Sequence, residues 1–284
     1  MVGKTYLQAT HESSLRLQDL GCDPANAQFV LMERKGWDKT QWLLHMHDAI
    51  SKTDYRQLLC DEKSLLKHVP PQYLLGAVEF FGRCFKLTKD TLIPRPETEE
   101  LVQLILKKRE NNLPLKVVDI GVGSGAIAIS LALERSNWQI LGVDISEEAL
   151  EIAKENAKLL GAEIQLLQSD VLTSFIGEQF DIIVSNPPYI AYDEWKIVDK
   201  CVRDYEPKEA LFAGENGLAI YLKIAKQAPK LLKASGILLL EIGYSQAETV
   251  SHMMREAFLN KREVKVFNDL SEKPRIVCVK EEKR

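Results

Sequence analysis

The hydrophobic rhythm of the chain changes twice. From Thr5 to about Leu75, apolar residues recur at three- and four-residue steps, as in Leu15-x-Leu17-x-x-Leu20 and Trp42-Leu43-Leu44-x-Met46-x-x-Ala49-Ile50. That period gives each segment one apolar stripe, and Gly21, Pro24 and Gly36 cut it into short helices. Pro70-Pro71 closes this part. Val78 to Leu87 then carries two aromatic-rich runs around Gly82, the pattern of a β-hairpin. Thr91 to Glu100 supplies the proline and glutamates favoured in a first helical turn, so the spacing predicts a helix from Pro96 to Lys108.

From Leu115 the pattern alternates. Strands are expected at 116–120, 139–143, 163–168, 180–184, 236–242, 263–267 and 275–279, and helices at 126–135, 147–160, 218–232 and 246–258. This alternation predicts an α/β fold with an open, mostly parallel sheet covered by helices on both faces. Its ligand site belongs beyond the carboxyl ends of the strands. Between 191 and 216 the rhythm lapses, apart from one helical turn near 194–202. Trp195, Tyr205, Pro207 and Phe212 in that stretch argue for an ordered substrate wall.

The chemistry-bearing residues fall at the expected strand ends. Gly121-Val122-Gly123-Ser124-Gly125 follows the first strand, where bare backbone can approach a ligand and a helix amino terminus can face it. Asp144 ends the second strand, a position suited to accepting hydrogen bonds from ribose hydroxyls. Asp170 ends the third and can accept from an adenine amino group. Gly121-x-Gly123-x-x-Ala126 also satisfies a dinucleotide fingerprint, so the loop alone does not choose the cofactor. Asp119 does. A carboxylate just inside the loop repels a pyrophosphate and attracts the amino group of an amino-acid-bearing cofactor.

The fourth strand runs into Ser185-Asn186-Pro187-Pro188-Tyr189. Two prolines remove backbone donors, fix φ and push the preceding residues into extended geometry. The corner is stiff, and it presents the Asn186 carboxamide, the Pro187 carbonyl and the Tyr189 ring. Two oxygens pointing one way accept both hydrogens of a planar NH2 group, and a ring packs on its plane. Beside such a pincer, S-adenosyl-L-methionine satisfies every requirement: an amino acid, a ribose, an adenine and a sulfonium-bound methyl group.

Composition narrows the setting. The 284 residues carry a formal net charge of -4, the reverse of the basic surplus of nucleic-acid binders. Five scattered cysteines without a Cys-x-x-Cys pair fit a reduced cytoplasmic protein, and neither they nor His45-x-His47 reads as a metal site. No stretch is long enough to span a bilayer, and the amino terminus lacks an apolar signal core.

Leu92-Ile-Pro-Arg-Pro-Glu-Thr-Glu99, Asp119-Ile-Gly-Val-Gly-Ser-Gly125, Ser185-Asn-Pro-Pro-Tyr-Ile190 and Glu206-Pro-x-x-Ala-Leu211 occur in that order. Together they resemble the peptide chain release factor glutamine methyltransferases. The resemblance implies a Rossmann-like class I methyltransferase domain, with a seven-stranded mostly parallel sheet, at 93–284. A helical substrate-recognition domain at 1–75 and a β-hairpin linker at 76–92 would precede it. It implies methyl transfer from S-adenosyl-L-methionine to the glutamine amide of the Gly-Gly-Gln loop in release factors. Asp119, Gly121, Val122, Gly123, Ser124, Gly125, Asp144, Asp170, Val171 and Asn186 would hold the cofactor. Asn186, Pro187, Pro188 and Tyr189 would hold the glutamine, with Asn186, Pro187 and Tyr189 catalytic. Val122 replaces a frequent Thr, and Val171 a Trp found in some members. The Asn-Pro-Pro-Tyr motif is shared with DNA-adenine and ribosomal-RNA guanine amino-methyltransferases, which remain the alternative. A non-catalytic cofactor-binding scaffold is a third reading.

Overall fold

The computed structural model describes residues 3–110 and 113–282, in two compact units. The first comprises Met1–Ala77 with Asp199–Tyr205. Its helices are α1 (Tyr6–Asp19), α2 (Ala25–Lys35), α3 (Lys39–His45), α4 (Lys52–Leu65) and α5 (Pro71–Leu75). Thr5 and Asp38 start α1 and α3 through capping boxes with Gln8 and Gln41, and Gly36 ends α2 in the left-handed conformation. The stripes meet in two small cores, one around Leu31, Trp42 and Leu58, the other around Leu17, Val30 and Leu65.

The second unit comprises Val78–Val198 and Glu206–Arg284. Its elements begin with β1 (Ala77–Phe80), β2 (Arg83–Lys86), α6 (Pro96–Lys108), β3 (Lys116–Ile120), α7 (Ala126–Glu134), β4 (Gln139–Asp144), α8 (Glu147–Leu160), β5 (Gln165–Gln168), β6 (Phe180–Ser185) and β7 (Ile190–Ala191). After α9 (Lys200–Tyr205), which belongs to the first unit, come α10 (Lys208–Leu211), β8 (Phe212–Ala213), the short turn α11 (Gly214–Gly217), α12 (Ala219–Leu231), β9 (Leu232–Glu241), α13 (Ala247–Ala257), β10 (Arg262–Asn268) and β11 (Pro274–Glu281).

Among the described residues, seven strands form one sheet in the order β10-β11-β9-β6-β3-β4-β5. The five strands from β9 to β5 are parallel, and β11 and β10 add antiparallel at one edge. The central strands are buried on both faces, as a doubly covered sheet requires. Val117, Ile182 and Leu239 pack with α6, α7 and α8 on one side; Val118, Ile183 and Leu238 pack with α12 and α13 on the other. After β5 the chain returns to the far side of β3, so the strand order reverses between β3 and β6. Ligands bind at such a switch point.

Two regions carry structure that the sequence rhythm does not show. The hairpin expected as a linker at 76–92 sends Phe80 and Phe85 into the same apolar cluster as Leu101 and Ile105 of α6. Aromatic side chains of that size stabilise most where they are fully covered. The stretch 191–216 is more ordered than its rhythm suggests. Ile190–Ala191 pairs with Phe212–Ala213, and Tyr192, Trp195 and Phe212 stack together. Such non-local pairing leaves no periodic trace.

Candidate active site

A cavity of about 620 Å³ opens at the carboxyl ends of β3, β4, β5 and β6. Gly121, Asp144, Asp170, Val171, Asn186, Pro187 and Pro188 all line it. Residues up to 67 positions apart in sequence thus converge because four parallel strands end together. A larger groove, about 850 Å³, lies at the amino ends of the strands beside Lys116, Gln139 and Gln165. It contains none of the motif residues. Topology and chemistry, not volume, single out the smaller cavity.

The glycine loop is built to let backbone through. Gly121 and Gly123 have φ of 72° and 54°, and the Gly123 amide donates to Asp144 Oδ2 at 2.9 Å. The Ser146 amide donates to Asp144 Oδ1 at 3.0 Å, so both carboxylate oxygens are oriented by backbone and keep lone pairs for hydroxyl donors. Gly125 has φ 86°, a left-handed conformation that strains any side chain, and a Cβ there would have to displace Ile129 Cδ1, 2.6 Å away. Val122, Gly123, Ser124 and Gly125 shape the loop without lining the cavity. The Val122 side chain points into the core against Gly142.

Asp119 lies beneath the loop, 1% exposed. Its Oδ2 accepts from the Ala128 amide at 3.1 Å, and Oδ1 is buried with no partner. Burial pushes its carboxyl up to about 8, against the pull of the Ala128 amide. A carboxylate in this state gains its charge when a cation approaches. The orphaned oxygen therefore suits an ammonium group rather than a phosphate. Asp119 does not line the cavity wall.

Asp170 is on the wall, but both its oxygens receive Lys223 Nζ, at 2.7 and 2.8 Å. Val171 beside it has φ 57°, a strained conformation for a β-branched residue.

At the diproline corner, Asn186 Nδ2 donates to Thr98 Oγ1 at 3.1 Å, and Thr98 Oγ1 donates to Glu241 Oε2 at 2.7 Å. Tyr189, expected to pack on the substrate amide, lies beside the cavity rather than on its wall. It is half-buried against the apolar cluster on the α12 side, its carbonyl accepts from Gln246 Nε2 at 2.9 Å, and it does not line the cavity. Burial, then the nearby Glu241 charge, pushes its phenol up to about 12.

Two family models match the chain: Methyltransferase small domain over residues 97–206, and PrmC N-terminal domain over residues 8–76. A release factor glutamine methyltransferase of Enterococcus faecalis is 44% identical, covering 97% of this chain and 99% of its own length. The chain belongs to the release factor glutamine methyltransferase family. Another member, from Lactococcus lactis, is 46% identical over the same shares of both chains. The crystal structure of a methyltransferase from Pyrococcus furiosus matches with a TM-score of 0.52 and 19% identity, over 70% of this chain and 89% of that one, a likeness of fold.

Sequence reasoning on this family member missed several residues around the site. Asp90, Leu92, Ile145, Ser146, Glu209 and Lys223 also line the cavity. Glu206, 4% exposed, accepts from the Ile93 amide at 3.2 Å and pairs with Arg95, pinning the loop that carries Leu92. The shared Pro-Arg-Pro-Glu and Glu-Pro signatures were visible as motifs; their mutual contact, 111 residues apart, was not.

Proposed function

We propose that this chain transfers the methyl group of S-adenosyl-L-methionine to the side-chain amide nitrogen of the Gly-Gly-Gln glutamine in peptide chain release factors. The observation that carries the reading is that Asn186, Pro187 and Pro188 share one cavity wall with Gly121 and Asp144. An amide-gripping corner and a ribose-accepting carboxylate thus face the same space. The cofactor, when bound, supplies an electrophilic methyl carbon and a good leaving group. The Gly121 backbone would face its amino acid end with the Asp119 carboxylate beneath the loop, Asp144 its ribose, and Asp170 with Val171 its adenine.

The chain's own task is to make a poor nucleophile react. An amide lone pair is delocalised into its carbonyl. Asn186 Oδ1 and the Pro187 carbonyl accept the two N–H bonds, hold the nitrogen in line and stabilise the positive charge that grows there. Alignment of this kind is worth roughly 7–11 kcal/mol, and acceptors aimed at developing charge add to it. The bound cofactor would supply the methyl carbon and keep the carbon–sulfur electron pair on sulfur, while the nitrogen held by Asn186 and Pro187 would give up one amide proton to water. Tyr189 closes the corner from behind rather than stacking on the amide.

A release-factor substrate would be met in the cytoplasm. No described helix is long and apolar enough to cross a membrane. The test is to incubate the protein with isotope-labelled cofactor and purified release factor, then map the label by mass spectrometry. A single methyl on the Gly-Gly-Gln glutamine is expected. Label on ribosomal RNA or DNA instead would transfer the reading to the nucleic-acid amino-methyltransferases, and no transfer would leave only a cofactor-binding scaffold.

A further inference from the structure

A carboxamide has two arms of nearly equal size and opposite hydrogen-bonding character. For Asn186 to grip an NH2 group, oxygen must face the cavity and nitrogen must face away. Nothing in the diproline corner itself makes that choice. Behind it stand two buried residues with no role so far: Thr98, in the first turn of α6, and Glu241, at the end of β9. Ser185 of β6 lies opposite Leu240 of β9, so the sheet register sets Glu241 beside Asn186.

We infer that Thr98 and Glu241 are positioning residues that fix which arm of the Asn186 carboxamide faces the cavity, and thereby select a substrate nitrogen that donates hydrogen bonds. The deduction follows from counting protons. An ionised carboxylate only accepts, so the single Thr98 hydroxyl proton goes to Glu241 Oε2, 2.7 Å away. The Thr98 oxygen can then only accept, so the Asn186 atom 3.1 Å from it must be Nδ2. Oδ1 is the arm left over. Among the described residues it has no protein donor, which leaves it free for a ligand. With the carboxamide reversed, Nδ2 would meet the substrate's own N–H groups donor to donor, and the grip would be lost.

Polarity in this relay depends on Glu241 being ionised. Burial pushes its carboxyl up to about 7, against the Thr98 hydrogen bond and the Arg275 charge. The charged and titratable groups around it are Arg275 on β11, Arg95 and Glu97 at the start of α6, and Tyr189 after β6. Tyr221 on α12 donates its hydroxyl to the Glu241 backbone carbonyl at 2.7 Å. When Glu241 takes up a proton it becomes a donor to Thr98. The Thr98 proton is then released toward Asn186, and the reversed carboxamide becomes acceptable. Turnover should therefore rise with pH through about 7, the value for Glu241, and level off above it.

This inference rests on Asn186 receiving the substrate amide. The test measures kcat, KM and cofactor affinity for the full-length chain acting on purified release factor between pH 6 and 8.5. Thr98→Val should lower kcat by roughly 100-fold with cofactor affinity unchanged, and Thr98→Ser should restore most of it. Glu241→Gln should lower kcat at pH 8 and flatten the step near pH 7. Should Thr98→Val fail to fold, the Thr98→Ser rate and the Glu241→Gln profile decide. Wild-type kcat in Thr98→Val, or an unchanged pH step in Glu241→Gln, overturns the inference. Methyl transfer surviving in Asn186→Ala would instead overturn the functional reading beneath it.

Discussion

Asp119 and Glu241 of the sheet unit are buried in the opposite way to the arginine-paired carboxylates of the helical unit. In the helical unit, Glu62 receives Arg16 Nε at 2.6 Å and Nη2 at 2.7 Å and also accepts from Ser13. Asp61 receives Arg34 through two bonds, at 2.7 and 2.9 Å. Burial alone would push Glu62 up, but the Arg16 and Ser13 hydrogen bonds outweigh it and hold its carboxyl below the ordinary value. In the sheet unit, Asp119 takes one backbone amide and Glu241 one hydroxyl, and both are pushed well up. The first arrangement is complete; the second keeps an oxygen in reserve. Perturbed carboxylates with unspent bonding capacity collect at functional sites, whereas matched ones fasten helices together.

The largest effect that separates the two is at Asp119. Asp119→Asn should weaken S-adenosyl-L-methionine binding by about 1.5–3 kcal/mol, read by calorimetry, because an ammonium group loses a charged acceptor. The same change should raise the melting temperature of the ligand-free chain at pH 8, since it removes the buried charge. Unchanged affinity would make Asp119 a folding residue. Next is Arg16→Ala, which leaves Glu62 buried without its partner. It should cost about 1–3 kcal/mol in urea unfolding, with cofactor affinity intact.

Stability against pH carries opposite signs at these two kinds of carboxylate. Asp119 binds a proton up to about 8 in the folded chain but titrates near 3.8 when unfolded, so its contribution falls as pH rises across that window. Glu241 does the same between 4.5 and about 7. Glu62, held low, contributes above its ordinary 4.5 and loses that contribution as pH falls. Thermal melts from pH 5 to 8.5 should show a downward slope that is shallower in Asp119→Asn and unaltered in Glu62→Gln. Smallest of all, Asp38→Ala should remove the α3 cap and cost about 1 kcal/mol of stability without touching activity.

The sheet unit was legible in sequence wherever period and punctuation agree. The helix from Pro96 to Lys108, the strand from Lys116 to Ile120 and the helix from Glu147 to Leu160 follow the expected limits. Gly121, Asp144 and Asn186 could be placed together because a parallel sheet ends its strands on one side. What escaped the reading depends on contacts across the fold. Glu241 closes an apolar run and looks like a strand's polar end; only the register beside β6 reveals its partner Thr98, 143 residues away. Lys223 against Asp170, and the packing of Tyr189 against the apolar cluster that includes α12, are likewise products of packing. Local pattern specifies elements; it does not say which side chain waits behind a motif.

The central claim is that the Asn186 carboxamide acts on the reacting nitrogen and not on the cofactor. Calorimetric cofactor affinity and single-turnover methyl transfer, measured on the same preparation of Asn186→Ala, address it most directly. Affinity close to the unaltered chain with transfer reduced by about 100-fold or more is the expected pair of values. Transfer at the unaltered rate, or affinity lost in step with it, would contradict the claim.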